Sequence, residues 1–349
     1  MDKERCIAIA RAEALKLAMA RGDVLGVFIC GSIAGDKPVT YADVDLRVLL
    51  NSEIKPPTTC TFVEGVPLEW VYIPKSIYEH LEDVLKTPFL PLELAKAIIL
   101  YDPTGFLGNL KMDVLTAYRY RSHVIARAQK LLHAAKEMYK HVRQNFETGQ
   151  EVSPWDLRCV IFWTGETPPL LLNETPNHKK MFVNLKNIAQ QLDCPMLYPM
   201  GLETLGAEDI TAGEAIGFLM DTLDSIDYVN TVGQIRHFHL SIEKREYWEN
   251  GIRELIDQGY YRESVWPMLT IISSSEPLIR QSPPLKKGSR GDFESKTYRA
   301  RCQRFLDRLG FINPLDVERK LNLAENWMQQ TEQVIEKVEG TTKRAIVFK

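Results

Sequence analysis

Residues 27–50 read VFICGSIAGDKPVTYADVDLRVLL. An apolar run ends at Gly31-Ser32, a polar loop follows, and a second apolar run carries Asp43 and Asp45 two positions apart. Because side chains alternate along a strand, both carboxylates point to one face of it and the apolar residues point to the other. Two like charges this close are costly without a cation, and Mg²⁺ is commonly bound by carboxylates together with substrate phosphates. The stretch therefore predicts a site for a divalent cation and a phosphate.

Two neighbouring features support this prediction. Glycine lets the backbone at residue 31 approach a ligand closely, and Ser32 at a helix start presents a hydroxyl and N–H groups to a phosphate. Glu69 lies within the apolar run VPLEWVYIP (66–74), and an acid in such a strand requires a partner. With Asp43 and Asp45 it makes a set of three carboxylates suited to in-line phosphoryl or nucleotidyl transfer. The alternative is that these acids occupy a solvated sheet face, as in a sheet covered on one side.

The same residues carry a family resemblance. The segment CGS (30–32), ten intervening residues and the segment DVDL (43–46) resemble the signature of the nucleotidyltransferase superfamily. Within it the chain is most similar to the aminoglycoside nucleotidyltransferases, which include the kanamycin and streptomycin adenylylating enzymes. The segment LAKAIILYDPTGFLG (94–108) resembles the strand and Asp-Pro turn that close their first domain. The resemblance covers residues 5–110 and extends to a general likeness of the helical remainder.

The resemblance implies a role for each residue of the predicted site. Gly31 and Ser32 would hold the terminal phosphates of the nucleotide, Asp43 and Asp45 would bind Mg²⁺, and Glu69 would be the third carboxylate. The implied reaction transfers a nucleoside monophosphate, AMP from ATP, to a hydroxyl of a small molecule such as an aminoglycoside-like antibiotic, and releases pyrophosphate. Two alternatives remain open: a toxin–antitoxin-type nucleotidyltransferase that modifies protein or tRNA, and a catalytically silent nucleotide-binding interaction module.

Other polar and aromatic residues have both a functional and a structural interpretation. The candidates for a general base are Glu79, Glu82, Glu93, Glu166 and Glu174, each of which also suits a solvated or capping position. A basic cluster at a predicted helix start suits a triphosphate or an acidic partner, and equally a solvated face: His178, Lys179, Lys180 and Lys186. The aromatic residues after residue 150, including Trp155, Phe162 and Trp266, suit a helical core, and some of them suit an acceptor pocket.

The pattern along the chain predicts an α+β protein with a small mixed β-sheet nucleotidyltransferase domain followed by an all-helical domain, with the active site in the cleft between them. Four strands are predicted, over Val24–Cys30, Val44–Leu50, Val66–Ile73 and Ala97–Tyr101. From Met112 to Gln150 the apolar period predicts one long amphipathic helix. The predicted domains are 1–110 for nucleotidyl transfer, 111–272 for acceptor binding, 273–292 as a linker or loop, and 293–349 as a helical tail packing on the helical domain.

Composition restricts the remaining classes. The chain of 349 residues is 45% hydrophobic and 26% charged, with no apolar run long enough for a membrane span. The first twenty residues mix acidic and basic side chains, unlike a secretory signal, which predicts a cytoplasmic protein. Six cysteines without CxxC spacing are predicted to be reduced thiols. A net charge of −3 argues against general nucleic-acid binding, although tRNA remains open, as does a homodimer.

Overall fold

The computed structural model describes residues 2–35, 43–232, 240–281 and 290–340. They divide into two compact units. The first runs to Lys130 and also contains Leu170–Asn177, and the second comprises Leu131–Pro169 and His178–Gly340. The first contains a sheet with helices and the second is helical, so the described chain has the predicted α+β class.

The first unit contains a five-stranded mixed sheet. Its strands are β1 (Val24–Cys30), β2 (Val44–Leu50), β3 (Thr59–Val63), β4 (Val66–Pro74) and β5 (Ile98–Tyr101). Their order across the sheet is β3-β4-β2-β1-β5, and β2 and β4 are parallel while the other neighbours are antiparallel. The four predicted strands are confirmed, and β3 was missed.

One face of this sheet is closed by the first helix. The helices of the first unit are α1 (Lys3–Ala20), α2 (Gly31–Ala34), α3 (Leu81–Lys86), α4 (Leu90–Lys96), α5 (Phe106–Ala117) and the start of α6 (Arg121–Glu147). Cys6, Ala10 and Ala14 of α1 belong to one buried cluster with Leu46 of β2 and Leu68 of β4. Since neighbouring residues of a strand point to opposite faces, the odd-numbered residues of β2 lie on the face away from α1.

The prediction of one long helix from Met112 was wrong, because the chain turns between α5 and α6. The carbonyls of Ala117 and Tyr118, at the end of α5, meet side chains from α6. His123 Nδ1 lies 2.9 Å from the Ala117 oxygen, and Arg127 Nη2 donates to the Tyr118 oxygen at 2.9 Å. These contacts satisfy carbonyl groups that a helix end leaves without intrahelical partners, so the break is stabilised by side chains of the next helix.

The second unit consists of helices around an aromatic core. It contains the remainder of α6, then α7 (Pro154–Leu171, whose last two residues belong to the first unit), α8 (Met181–Gln191), α9 (Leu197–Leu205), α10 (Ala212–Val232), α11 (Arg245–Asp257), α12 (Val265–Gln281), α13 (Arg290–Arg308) and α14 (Pro314–Gly340). Trp266 and Trp327 are fully buried, and Phe182 lies between them with ring centroids 5.8 and 6.3 Å away. Offset and edge-on aromatic pairs of this kind stabilise a core beyond the area they bury.

Two segments with prolines or several small polar residues are nevertheless helical. The segment TGETPP (164–169) lies inside α7, and its two prolines, which lack the N–H that an interior helix residue donates, come three and two residues before the helix ends at Leu171. Residues 273–281 of the predicted linker lie in α12, and residues 282–289 are outside the described ranges. Ser273 and Ser274 donate their hydroxyls to the Thr270 carbonyl and are buried, so these serines are accommodated within a packed helix. The remaining domain limits stay predictions.

All six cysteines are free thiols. Among the described residues, no helix combines the length and the apolar character needed to cross a membrane.

Candidate active site

Asp43, Asp45 and Glu69 converge on the sheet face away from α1. In the parallel pairing of β2 and β4, Asp45 is the register partner of Glu69. Asp43 lies two residues before Asp45 and therefore on the same face. One carboxylate oxygen from each of the three residues lies within 4.8 Å of the others. The structure thus brings together the three acids that the sequence singled out, although they come from two strands more than twenty residues apart.

The backbone of Gly31 lies against the carboxylate of Asp45. It follows β1 directly, with φ at +67°, a conformation that glycine adopts readily and other residues avoid. A Cβ built at this position would lie 1.9 Å from Oδ2 of Asp45 and 2.9 Å from its Cγ. Any larger residue would therefore displace the carboxylate, so glycine is required here for space as well as for backbone conformation.

Ser32 is the second residue of the short helix α2 and is exposed. It follows the glycine that contacts Asp45, so its backbone lies at the edge of the acidic cluster. Its carbonyl accepts a hydrogen bond from the N–H of Gly35 at 3.2 Å, which closes the turn. The predicted helix start at Ser32 is confirmed to within one residue, since α2 begins at Gly31. The predicted contact of Ser32 with phosphate stays a prediction.

Cys30 lies beside the acids, on the same face of the sheet. Cys30 is the antiparallel register partner of Asp45, and it is 1% exposed. Burial raises the pKa of the Cys30 thiol well above its ordinary value, and the nearby carboxylate of Glu93 raises it further. The thiol therefore stays protonated at neutral pH, which makes it a packing residue rather than a nucleophile.

An ion pair that was not predicted from the sequence lies on the same face. Arg47 is two residues after Asp45 on β2, and its Nη2 and Nε lie 2.8 and 3.1 Å from the two carboxylate oxygens of Glu93 on α4. Both side chains are 18% exposed. This two-point contact makes Glu93 a poor candidate for the general base, because its oxygens are held by the guanidinium. The alternating pattern D-x-D-x-R of β2 was the sequence signal for Arg47.

Tyr78 lies next to this pair and is 2% exposed. Burial raises the pKa of its hydroxyl well above the ordinary value, and the charge of Glu93 raises it further. The described residues provide no hydrogen-bond partner for this hydroxyl. Tyr78 is thus a neutral group beside the ion pair at neutral pH.

The other candidates for a general base lie in varied surroundings. Glu79 and Glu174 are exposed, whereas Glu166 on α7 is 1% exposed. Glu82 contacts Lys86 at 3.0 Å and His123 at 3.4 Å. The role of each as a general base stays a prediction.

The basic cluster near residue 180 is occupied by contacts within the second unit. His178, Lys179 and Lys180 form a single turn of 3₁₀-helix before α8, which confirms the predicted helix start. Lys179 Nζ lies 4.0 Å from the centroid of the Tyr247 ring, and Lys180 Nζ pairs with Glu254 at 3.2 Å. These contacts favour the structural interpretation of the cluster.

The donor chemistry of the acidic cluster fits a hard divalent cation. Three carboxylates offer oxygen ligands, and Mg²⁺ binds such oxygens together with substrate phosphates. The absence of a side chain at Gly31 leaves room for the Asp45 carboxylate at the end of β1. Asp43, Asp45 and Glu69 are thus the residues that would hold the ion.

Comparisons with known proteins add little. No protein-family model matches the chain, and no curated protein matches it. Among solved structures it is similar to a nucleotidyltransferase-like protein from Exiguobacterium sibiricum 255-15, with 8% identity and a TM-score of 0.32. The match covers 85% of this chain and 90% of that one. At this TM-score the likeness carries no argument about the fold or activity of the chain.

Proposed function

We propose that the chain is a Mg²⁺-dependent nucleotidyltransferase that transfers AMP from ATP to a hydroxyl of a small molecule and releases pyrophosphate. The observation that supports this proposal is the convergence of Asp43, Asp45 and Glu69 within 4.8 Å of one another, beside the close contact of Gly31 with Asp45. Each carboxylate this close to two others is harder to ionise, and a bound cation offsets that cost.

Each residue of the proposed site would have its own role. Asp43, Asp45 and Glu69 hold the ion, and Gly31 keeps the backbone clear of the Asp45 carboxylate. Ser32 offers its exposed hydroxyl to the terminal phosphates of the nucleotide. Bound Mg²⁺ supplies positive charge, which offsets the charge of the triphosphate and makes the acceptor hydroxyl easier to deprotonate.

The bond changes balance without any other reactant. The acceptor oxygen forms a bond to the α-phosphorus of ATP while the bond from that phosphorus to the oxygen bridging to the β-phosphate breaks. Pyrophosphate leaves with the electron pair of the broken bond, and the hydroxyl proton passes to solvent. The second unit is proposed to bind the acceptor, with an aminoglycoside-like antibiotic as the first candidate.

The test is incubation of the full chain with each of four α-labelled nucleotides, ATP, GTP, CTP and UTP, in the presence of Mg²⁺. Parallel reactions contain a panel of aminoglycosides and lincosamides, or a cell extract as a source of protein and tRNA. Pyrophosphate release and the labelled product are measured for the wild type, for Asp45→Asn and for Asp113→Asn, which changes an exposed acid of α5.

We expect a labelled small molecule with the wild type and with Asp113→Asn, and no product with Asp45→Asn or with excess EDTA. Label in protein or tRNA alone would replace the small-molecule acceptor with a macromolecular one. Pyrophosphate release that is unchanged by Asp45→Asn would refute the catalytic role of the acids. No release under any condition would leave the silent binding module as the better description.

A further inference from the structure

A buried arginine in the second unit is surrounded by aromatic rings. Arg158 of α7 is 8% exposed. Its guanidinium carbon lies 5.0 Å from the ring centroid of Trp155, 4.9 Å from that of Trp266 and 5.9 Å from that of Phe162. All three distances are within the range of cation–π attraction. The aromatic rings therefore supply much of the environment of this cation.

The hydrogen bonds of Arg158 leave most of its donors unused. Its Nε donates to Oγ1 of Thr270 at 3.0 Å. Within the described parts of the chain, Nη1 and Nη2 have no acceptor, and no carboxylate pairs with the guanidinium. Burial lowers the pKa of Arg158 to about 10, so the group remains charged at neutral pH. Nη1 and Nη2 are not among the fully buried atoms that lack a partner, so they reach the surface, where an anion can pair with them.

Arg127, the other buried arginine among the described residues, has a structural role and serves as a comparison for Arg158. It is 0% exposed, yet its Nη1 donates to the Leu85 oxygen at 2.9 Å. Its Nη2 donates to the Tyr118 oxygen at 2.9 Å and to Oδ1 of Asn173 at 2.6 Å. Both terminal nitrogens of Arg127 are thus used by the fold, whereas both terminal nitrogens of Arg158 are left over.

We propose that Arg158 binds an oxyanion, a carboxylate or a phosphate group, carried by a small molecule with a planar ring that stacks on Trp155. The edge of a guanidinium presents paired N–H donors that match the two oxygens of such a group. Trp155 is 37% exposed, so part of its ring is accessible to a ligand. This site goes beyond the proposed nucleotidyl transfer and does not depend on it.

The test uses the full chain in EDTA, so that no divalent ion is held by the acids of the first unit. Four probes are compared at constant ionic strength: inorganic phosphate, phenyl phosphate, benzoate and the uncharged benzamide. Binding is measured by calorimetry and by the shift in melting temperature, since a ligand that binds only the folded state raises that temperature.

Three variants examine the site. Arg158→Met removes the charge, Arg158→Lys keeps the charge and removes the fork of donors, and Trp155→Ala removes the exposed ring. Arg253→Met changes an arginine of α11 whose side chain is 46% exposed, and it serves as the control. Benzamide controls for stacking without an anion.

We expect phenyl phosphate or benzoate to raise the melting temperature of the wild type and of Arg253→Met. Both Arg158 variants should bind the same probe at least tenfold more weakly, and Trp155→Ala should bind phenyl phosphate no better than inorganic phosphate. Which of the two ring-bearing anions binds more tightly identifies the group. No anion-dependent shift in the wild type would overturn the proposal, as would equal affinity in Arg158→Met. If Arg158→Met fails to fold, Arg158→Lys and Trp155→Ala provide the comparison with the wild type.

Discussion

The backbone of Gly31 lies against the carboxylate of Asp45, so closely that a Cβ at residue 31 would be 1.9 Å from Oδ2. The same glycine has φ at +67°. Two requirements therefore meet at one position: a left-handed backbone and the absence of a side chain. The contact joins the end of β1 to the face of β2 that carries the acids.

Gly31→Ala is expected to displace the Asp45 carboxylate and to abolish Mg²⁺-dependent stabilisation. The left-handed conformation costs about 1 kcal/mol for a residue with a Cβ, and the steric overlap adds to that cost. Gly65→Ala is the matched control, because Gly65 has φ at +79° and nothing lies within 4 Å of its Cβ position. Urea unfolding with and without Mg²⁺ measures both effects. Equal losses in the two variants would show that only the backbone conformation matters.

Mg²⁺ is expected to raise the melting temperature of the wild type, because the ion offsets repulsion among three carboxylates within 4.8 Å. In Asp45→Asn the rise should be lost, while the melting temperature without metal should be unchanged or higher. Asp113→Asn should behave as the wild type does. A melting temperature that is independent of Mg²⁺ in the wild type would count against the metal site, whatever the outcome of the activity assay.

The pair of Arg47 and Glu93 is expected to show strong coupling in the free energy of unfolding. Removing one partner of a largely buried pair leaves an uncompensated charge, so Arg47→Met and Glu93→Leu should each cost about 3 kcal/mol. The double variant should cost much less than the sum. The exposed pair of Glu137 and Lys140, three residues apart on α6, is the control, with an expected coupling of about 0.2–0.5 kcal/mol. Additive effects at Arg47 and Glu93 would show that the contact is not energetically important.

The acids could be predicted from the sequence because alternation along a strand is local. Asp45 and Glu69 each interrupt an apolar run, and the face they occupy follows from their neighbours. Their pairing in register depends on the parallel contact of β2 with β4, which no local pattern specifies. Arg47 was missed for the same reason: its partner Glu93 is 46 residues away.

The missed strand and the missed helix break have physical explanations as well. β3 is an edge strand whose residues Thr59–Val63 are exposed or half-buried, so it lacks the apolar alternation that marks a strand. The break after α5 depends on Arg127 and His123, which meet carbonyls six to nine residues earlier. An amphipathic period continues through such a turn, and the period alone therefore predicts one helix.

Lys320 of α14 gives the fold a predictable dependence on pH. It is 3% exposed, its Nζ donates to the Thr204 oxygen at 2.7 Å, and it lies 4.6 Å from the centroid of the Phe311 ring. Burial lowers the pKa of Lys320 to about 7, against an opposing influence from the Glu208 carboxylate. In the unfolded chain a lysine has a pKa of about 10.4. Between these two values the unfolded state binds more protons than the folded state.

The free energy of unfolding should therefore rise with pH from about 7 towards about 10, by up to about 1.4 kcal/mol per pH unit from this group. Below pH 7 the lysine is protonated in both states and its contribution is constant. Because other groups also titrate, the measured quantity is the difference between the wild type and Lys320→Met in urea unfolding from pH 6 to pH 9. Lys130→Met, at an exposed lysine, should show no such trend. A difference between the wild type and Lys320→Met that stays constant over this range would mean that Lys320 keeps its proton, held by the carbonyl of Thr204 and the ring of Phe311.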